Sequence, residues 1–235
     1  MKLHLNSLIL TIVCLCLIPF SLATATVYQG SLQYTPPLPV GLNDGLMVTG
    51  PANQWTSYTV TMSWTVDDSV QNSPNPLYPV KYEYRFQHSG TQYGFSHIII
   101  ESSTNFTAGN ITGVSGAIMD SVKLQTVLGG NPAMPENVYG IRFNPLTSGV
   151  IDWSFSFYSD RLPVWGDFYG RCGGAGGINS AYNQGFTISD VDPTAAPSNG
   201  SVANHILRPD TVVPEPAAMA LFGLGGLLLS RKRKA

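Results

Sequence analysis

A chain of 235 residues suits one or two domains, and only 11% of it is charged. The formal charge of −2 hides an asymmetry: residues 26–213 carry seven Lys or Arg against thirteen Asp or Glu, a net of −6. An acidic body without a basic patch excludes nucleic acid as a partner. Three cysteines are too few for a disulfide framework, so any folded domain here must rest on its apolar core.

In chain order, the first expected element is a signal peptide at residues 1–25. Lys2 supplies a positive start, residues 8–17 are an almost unbroken apolar core, Pro19 breaks it, and Ala23 and Ala25 give the small-x-small pattern that signal peptidase cuts after. An apolar core of about ten residues is too short to span a bilayer comfortably. Cys14 and Cys16 lie inside this core and fit no lipoprotein box, so cleavage leaves Cys172 as the one thiol.

Residues 26–189 read as one domain. The stretch is rich in Gly, Pro, Ser, Thr, Asn and aromatics, a composition that disfavours long helices and favours short strands between turns. Val60, Met62, Trp64 and Val66 alternate with Thr59, Thr61, Ser63 and Thr65. Val80, Tyr82, Tyr84 and Phe86 alternate with Lys81, Glu83, Arg85 and Gln87. Ile151, Trp153, Phe155 and Phe157 alternate with Asp152, Ser154, Ser156 and Tyr158. Each pattern is that of a strand with one apolar and one solvated face. The run Ile98-Ile99-Ile100 within residues 95–102 predicts a strand covered on both faces. Residues 121–127 and 137–143 are further strand candidates, and Asn43-Asp44-Gly45, Ser73-Pro74-Asn75-Pro76, Gly129-Gly130-Asn131-Pro132 and Asn144-Pro145 are turn breakers. The expected fold is all-β, an antiparallel β-sandwich of jelly-roll or lectin-like type. Residues 190–213, with Pro193, Pro197 and Pro209, read as a spacer between this domain and the tail.

Candidate chemistry in the body is sparse. Trp165, Phe168 and Tyr169, in a Gly-rich context, are candidate sugar contacts, because flat aromatic faces receive the apolar faces of sugars; the competing reading is that they plug the core. His97 and Glu101, with His88, have generic metal-site spacing, and structural roles are the alternative. Glu83, Glu101, Asp152, Asp160 and Asp167 are the carboxylates available for a glycoside-hydrolase pair, although most fall on solvated strand faces. Asp67-Asp68 and Asp190-Val191-Asp192 lack the full loop pattern of a calcium site. No nucleophile elbow, phosphate loop or zinc motif is present. The acceptor motifs at Asn105, Asn110 and Asn199 read as turn chemistry. The sequence therefore names no catalytic residue, no metal ligand and no cofactor.

The C-terminal tail, residues 214–235, has three parts. Pro214, Glu215 and Pro216 form a stiff extended segment, residues 217–229 are uncharged and apolar, and Arg231, Lys232, Arg233 and Lys234 form a basic stop. The basic cluster belongs on the cytoplasmic side and the body on the other. As a helix the apolar part reaches about 20 Å, a short transmembrane span better suited to transient than to permanent anchoring.

This arrangement resembles the PEP-CTERM sorting signal of exported bacterial proteins. The resemblance implies export, passage through the inner membrane on the C-terminal helix, and recognition by an exosortase. That membrane-embedded enzyme cuts near Pro214-Glu215-Pro216 and passes the body to the cell surface or to extracellular polysaccharide. For the body itself the expectation is a non-enzymatic structural or adhesive domain. A carbohydrate-binding module or a secreted polysaccharide hydrolase stands as the alternative.

Overall fold

The fold is that of a computed structural model, which describes residues 26–36, 44–68, 73–174, 177–189 and 191–212. The expected signal peptide and the tail from Pro214 onward lie outside the described residues. Thirteen strands are named here in chain order: β1 (Val27–Tyr34), β2 (Leu46–Thr49), β3 (Val60–Asp67), β4 (Val80–His88), β5 (His97–Glu101), β6 (Ile111–Ser115), β7 (Ala117–Gln125), β8 (Val138–Pro145), β9 (Asp152–Ser159), β10 (Arg161–Gly166), β11 (Phe168–Gly174), β12 (Gly177–Asn183) and β13 (Ile206–Val212). Among the described residues the helical structure consists of short 3-10 turns such as Trp55–Ser57.

The strands form a five-stranded sheet in the order β1-β3-β4-β9-β6, a six-stranded sheet in the order β2-β12-β11-β5-β8-β7, and the ribbon β10-β13. All of these strand pairs are antiparallel. The alternation read in the sequence sets the register. Met62 faces Phe86 and Phe86 faces Trp153, all on the buried side, whereas Ser63, Arg85 and Ser154 share the outer side. A one-residue slip would expose the entire apolar set.

The two large sheets are joined through aromatic rings, which gives the sandwich-like body. Phe143 of β8 lies 4.8 Å from Phe155 of β9, and Phe86 of β4 lies 5.9 Å from Phe168 of β11. Such tilted and edge-on pairs add to the area they bury. Phe86 reaches β11 because residue 170 is glycine: a Cβ there would stand 2.3 Å from the Phe86 ring. As expected, β5 is covered on both faces. Ile98 and Ile100 enter the main core, and Ile99 joins a second cluster with Met134, Val138, Tyr169 and Phe186.

One expectation is corrected. Of the stretch read as a spacer, residues 206–212 are β13, integral to the fold. Ile206 and Leu207 are fully buried, the ladder to β10 runs from Gly166–Ile206 to Arg161–Val212, and the Tyr84 hydroxyl donates to the Leu207 carbonyl at 2.9 Å. The Tyr82 hydroxyl donates in the same way to the Arg161 carbonyl of β10. Two buried phenols therefore fasten the ribbon to the five-stranded sheet.

Candidate functional site

The described residues contain one concentrated group of buried and half-buried charges, under the β10-β13 ribbon. The end of β5 supplies Glu101, the link between β10 and β11 supplies Asp167, β13 supplies Arg208 and Asp210, and the segment before β13 supplies Asp192 and His205. The Arg208 side chain is 5% exposed, with Asp192 Oδ2 at 2.6 Å from Nη2, Asp210 Oδ2 at 2.8 Å from Nη1 and Glu101 Oε2 at 3.2 Å from Nε. Gly166 makes room for it: a Cβ at that position would fall 1.8 Å from Arg208 Nε.

Asp167 extends the group. Its backbone N–H donates to Glu101 Oε2 at 2.8 Å, its Oδ1 accepts from Asn183 Nδ2 at 2.6 Å, and the same oxygen stands 3.6 Å from His205 Nε2. Carboxylates of Asp167 and Asp192 and a nitrogen of His205 all lie within 4.8 Å of one another. One guanidinium thus sits among four carboxylates, Glu101, Asp167, Asp192 and Asp210.

The imbalance has electrostatic consequences. Burial pushes the Glu101 carboxyl up to about 8 against the pull of Arg208, and the neighbouring Asp192 and Asp167 add to the rise. Burial also opposes the Arg208 charge, but Glu101, Asp192 and Asp210 together outweigh it and hold the guanidinium above its ordinary value. A pocket of about 280 Å³ opens onto this group, lined by Glu101, Asp167, Asp192, Glu136, Tyr139 and Phe186 among others. A carboxyl whose proton affinity is raised by burial, set beside further carboxylates, is an arrangement that acid–base chemistry uses.

A second feature is open to solvent. The outer face of the five-stranded sheet carries a groove of about 720 Å³. The cross-strand register lays its floor in rows. Ser31, Ser63, Arg85 and Ser154 form one, and Gln29, Thr65, Glu83, Ser156 and Ser115 form the next. The charges on this face are paired with each other: Arg85 makes a two-pronged contact with Asp152 at 2.7 and 2.6 Å, and Lys81 meets Glu83 at 2.7 Å. What remains is a nearly neutral surface of hydroxyls and amides.

The aromatic, histidine, cysteine and asparagine candidates of the sequence fall elsewhere. Trp165, Phe168 and Tyr169 are 0%, 1% and 0% exposed, so no face of these rings is open to a sugar. They sit on β10 and β11, strands with packing on both sides, and the Tyr169 hydroxyl donates to the Pro132 carbonyl at 2.7 Å. His97, at the far end of β5 from Glu101, has Nε2 3.0 Å from Asn131 Oδ1, and burial lowers it to about 4. His88 stacks on Tyr58 and packs against Trp55. These histidines do not converge with Glu101 on a metal site. Cys172 is buried in β11, and burial raises its thiol, the opposite of an activated nucleophile. Asn110 caps a turn by accepting the backbone N–H of Thr107, whereas Asn199 accepts the backbone N–H of Gln29 and so ties its segment to β1.

Of the buried group, Glu101, Asp167 and Asp192 were named among sequence candidates, while Arg208, Asp210 and His205 were not. The one local sign of them is a charge directly after the apolar pair Ile206-Leu207.

Comparison with known families finds the PEP-CTERM protein-sorting motif at residues 212–234. Neither the curated proteins nor the solved structures offer a match to the chain.

Proposed function

We propose that this chain, addressed by the PEP-CTERM protein-sorting motif at residues 212–234, is an exported surface protein whose body binds extracellular polysaccharide without altering it. Signal peptidase removes residues 1–25, an exosortase acts at Pro214-Glu215-Pro216, and Arg231, Lys232, Arg233 and Lys234 halt transfer at the inner membrane. The body then works at the cell surface or in the surrounding matrix as a sandwich of lectin-like type.

The observation that carries the binding role is the outer groove of the five-stranded sheet. Its rows of hydroxyl and amide side chains, with the neighbouring charges already paired, suit a neutral polyhydroxylated chain laid across the strands. The test is affinity electrophoresis of residues 26–213 through gels containing matrix polysaccharide from the producing cell. Retardation is expected for the wild type and is abolished when Ser63→Trp and Ser154→Trp fill the groove. Free migration of the wild type contradicts the binding role.

The buried carboxylates support a second reading, a polysaccharide hydrolase with Glu101 as acid and Asp192 or Asp167 as partner. The two-carboxylate arrangement and the raised Glu101 favour it. The ion pairs of Arg208 with Glu101 and Asp192 favour a structural role for the same residues. Release of reducing ends by the wild-type body, lost in Glu101→Gln, would establish the hydrolase.

A further inference from the structure

Both ends of the described domain leave it at the same pole. Val27 of β1 faces Asp67, Asp67 faces Lys81, and Lys81 faces Tyr158, one row across the five-stranded sheet. Three strand spacings, about 14 Å, separate β1 from β9 in that row. β9 ends one residue later at Ser159, and Arg161, the first residue of β10, faces Val212. Pro214 follows Val212 by two residues. Extended chain covers about 7 Å in that distance, so an enzyme that grips Pro214-Glu215-Pro216 while β13 stays paired must touch this pole.

The pole presents an apolar knuckle. Residues 73–79 lead into β4, and in them Pro74, Pro76 and Leu77 are exposed, Leu77 by 73%. The loop is braced from within and from beside. Asn75 Oδ1 accepts the Leu77 N–H at 3.0 Å, and Ser73 Oγ lies within hydrogen-bond distance of the Asn75 and Tyr78 carbonyls. The Tyr78 hydroxyl donates to the Gly109 carbonyl at 2.8 Å, and the next residue, Asn110, donates to both carboxylate oxygens of Asp160, beside Arg161. A continuous set of contacts therefore fixes the knuckle relative to the point where the chain leaves for the sorting motif. Exposed apolar side chains held on a rigid loop mark an interaction surface.

We infer that the knuckle of Pro74, Pro76 and Leu77 is the face on which the membrane-embedded sorting enzyme docks while it cuts the tail. The inference rests on the sorting reading above, and it makes the folded body part of the recognised substrate. Leu146, 65% exposed in the turn between β8 and β9, lies at the opposite pole and serves as the control.

The experiment follows loss of the tail from the full-length chain by pulse–chase in the producing cell. Leu77→Asp is expected to lengthen the life of the tail-bearing precursor about tenfold, the scale of one well-packed interface side chain, and Leu146→Asp is expected to change nothing. A photo-crosslinking residue at position 77 should form an adduct with an epitope-tagged exosortase. Normal processing of Leu77→Asp, equal slowing by Leu146→Asp, or crosslinking to lipid alone overturns the docking inference and leaves sorting intact. A wild-type chain that never loses its tail overturns both.

Discussion

Arg161 and Val212 are paired across the β10-β13 ladder, and Val212 stands two residues before Pro214. The sorting motif thus begins where the last strand ends, and the folded body, instead of hanging from a long tether, is held close to whatever holds the tail. Deleting residues 214–235 leaves β13 whole. The truncated protein should therefore fold normally and appear in the culture medium. Immunoblots of medium and cell fractions check this, and unchanged retention on the cell would count against the tail as the address.

Arg208 is the single cation among Glu101, Asp192 and Asp210. Replacing it with Met keeps much of the apolar stem but leaves three half-buried carboxylates without their partner. Breaking a buried pair in this way costs about 3–5 kcal/mol. Urea denaturation of residues 26–213 should show a loss of that order for Arg208→Met. A loss below about 1 kcal/mol, the scale of an exposed ion pair, would mean the group is far better solvated than its burial indicates.

The same group sets a pH dependence. Burial pushes the Glu101 carboxyl up to about 8 from an ordinary 4.5, so between those values folding favours the protonated form that the unfolded chain has lost. Its contribution to stability therefore falls as pH rises from about 4.5 to 8. His97, lowered to about 4 from 6.5, acts in the opposite sense on the acid side: its contribution is lost as pH falls from about 6.5 to 4. Glu101→Gln should flatten the decline between pH 5.5 and 8 and leave the acid limb in place. Denaturation midpoints at pH 4.5, 5.5 and 8 test it, and a Glu101→Gln profile parallel to the wild type contradicts it.

Much of the sandwich was legible because its central strands are half-buried and regular. In β3, β4 and β9 nearly every second residue is a large apolar one, and the Ile98-Ile99-Ile100 run announces a strand packed on both faces. β13 was not legible. Pro209 interrupts it, Arg208 and Asp210 break its alternation, and the residues it pairs with on β10 lie 40 to 51 positions earlier. The aromatic cluster at Trp165, Phe168 and Tyr169 misled for a related reason. Small neighbours such as Gly166 and Gly170 suggest an open loop, whereas in the fold they admit Arg208 and Phe86. The buried charge group is assembled from β5, the β10-β11 link, the segment before β13 and β13 itself, so no local spacing could reveal it.

The central claim is that the chain is exported and then processed at its C-terminal motif. Intact mass of the protein recovered from the native cell surface tests it most directly. The account predicts a mass lacking residues 1–25 and the residues that follow Pro214-Glu215-Pro216, with any excess measuring a covalently attached group. A mass that still includes residues 217–235 would contradict it and make the protein a plainly membrane-anchored one.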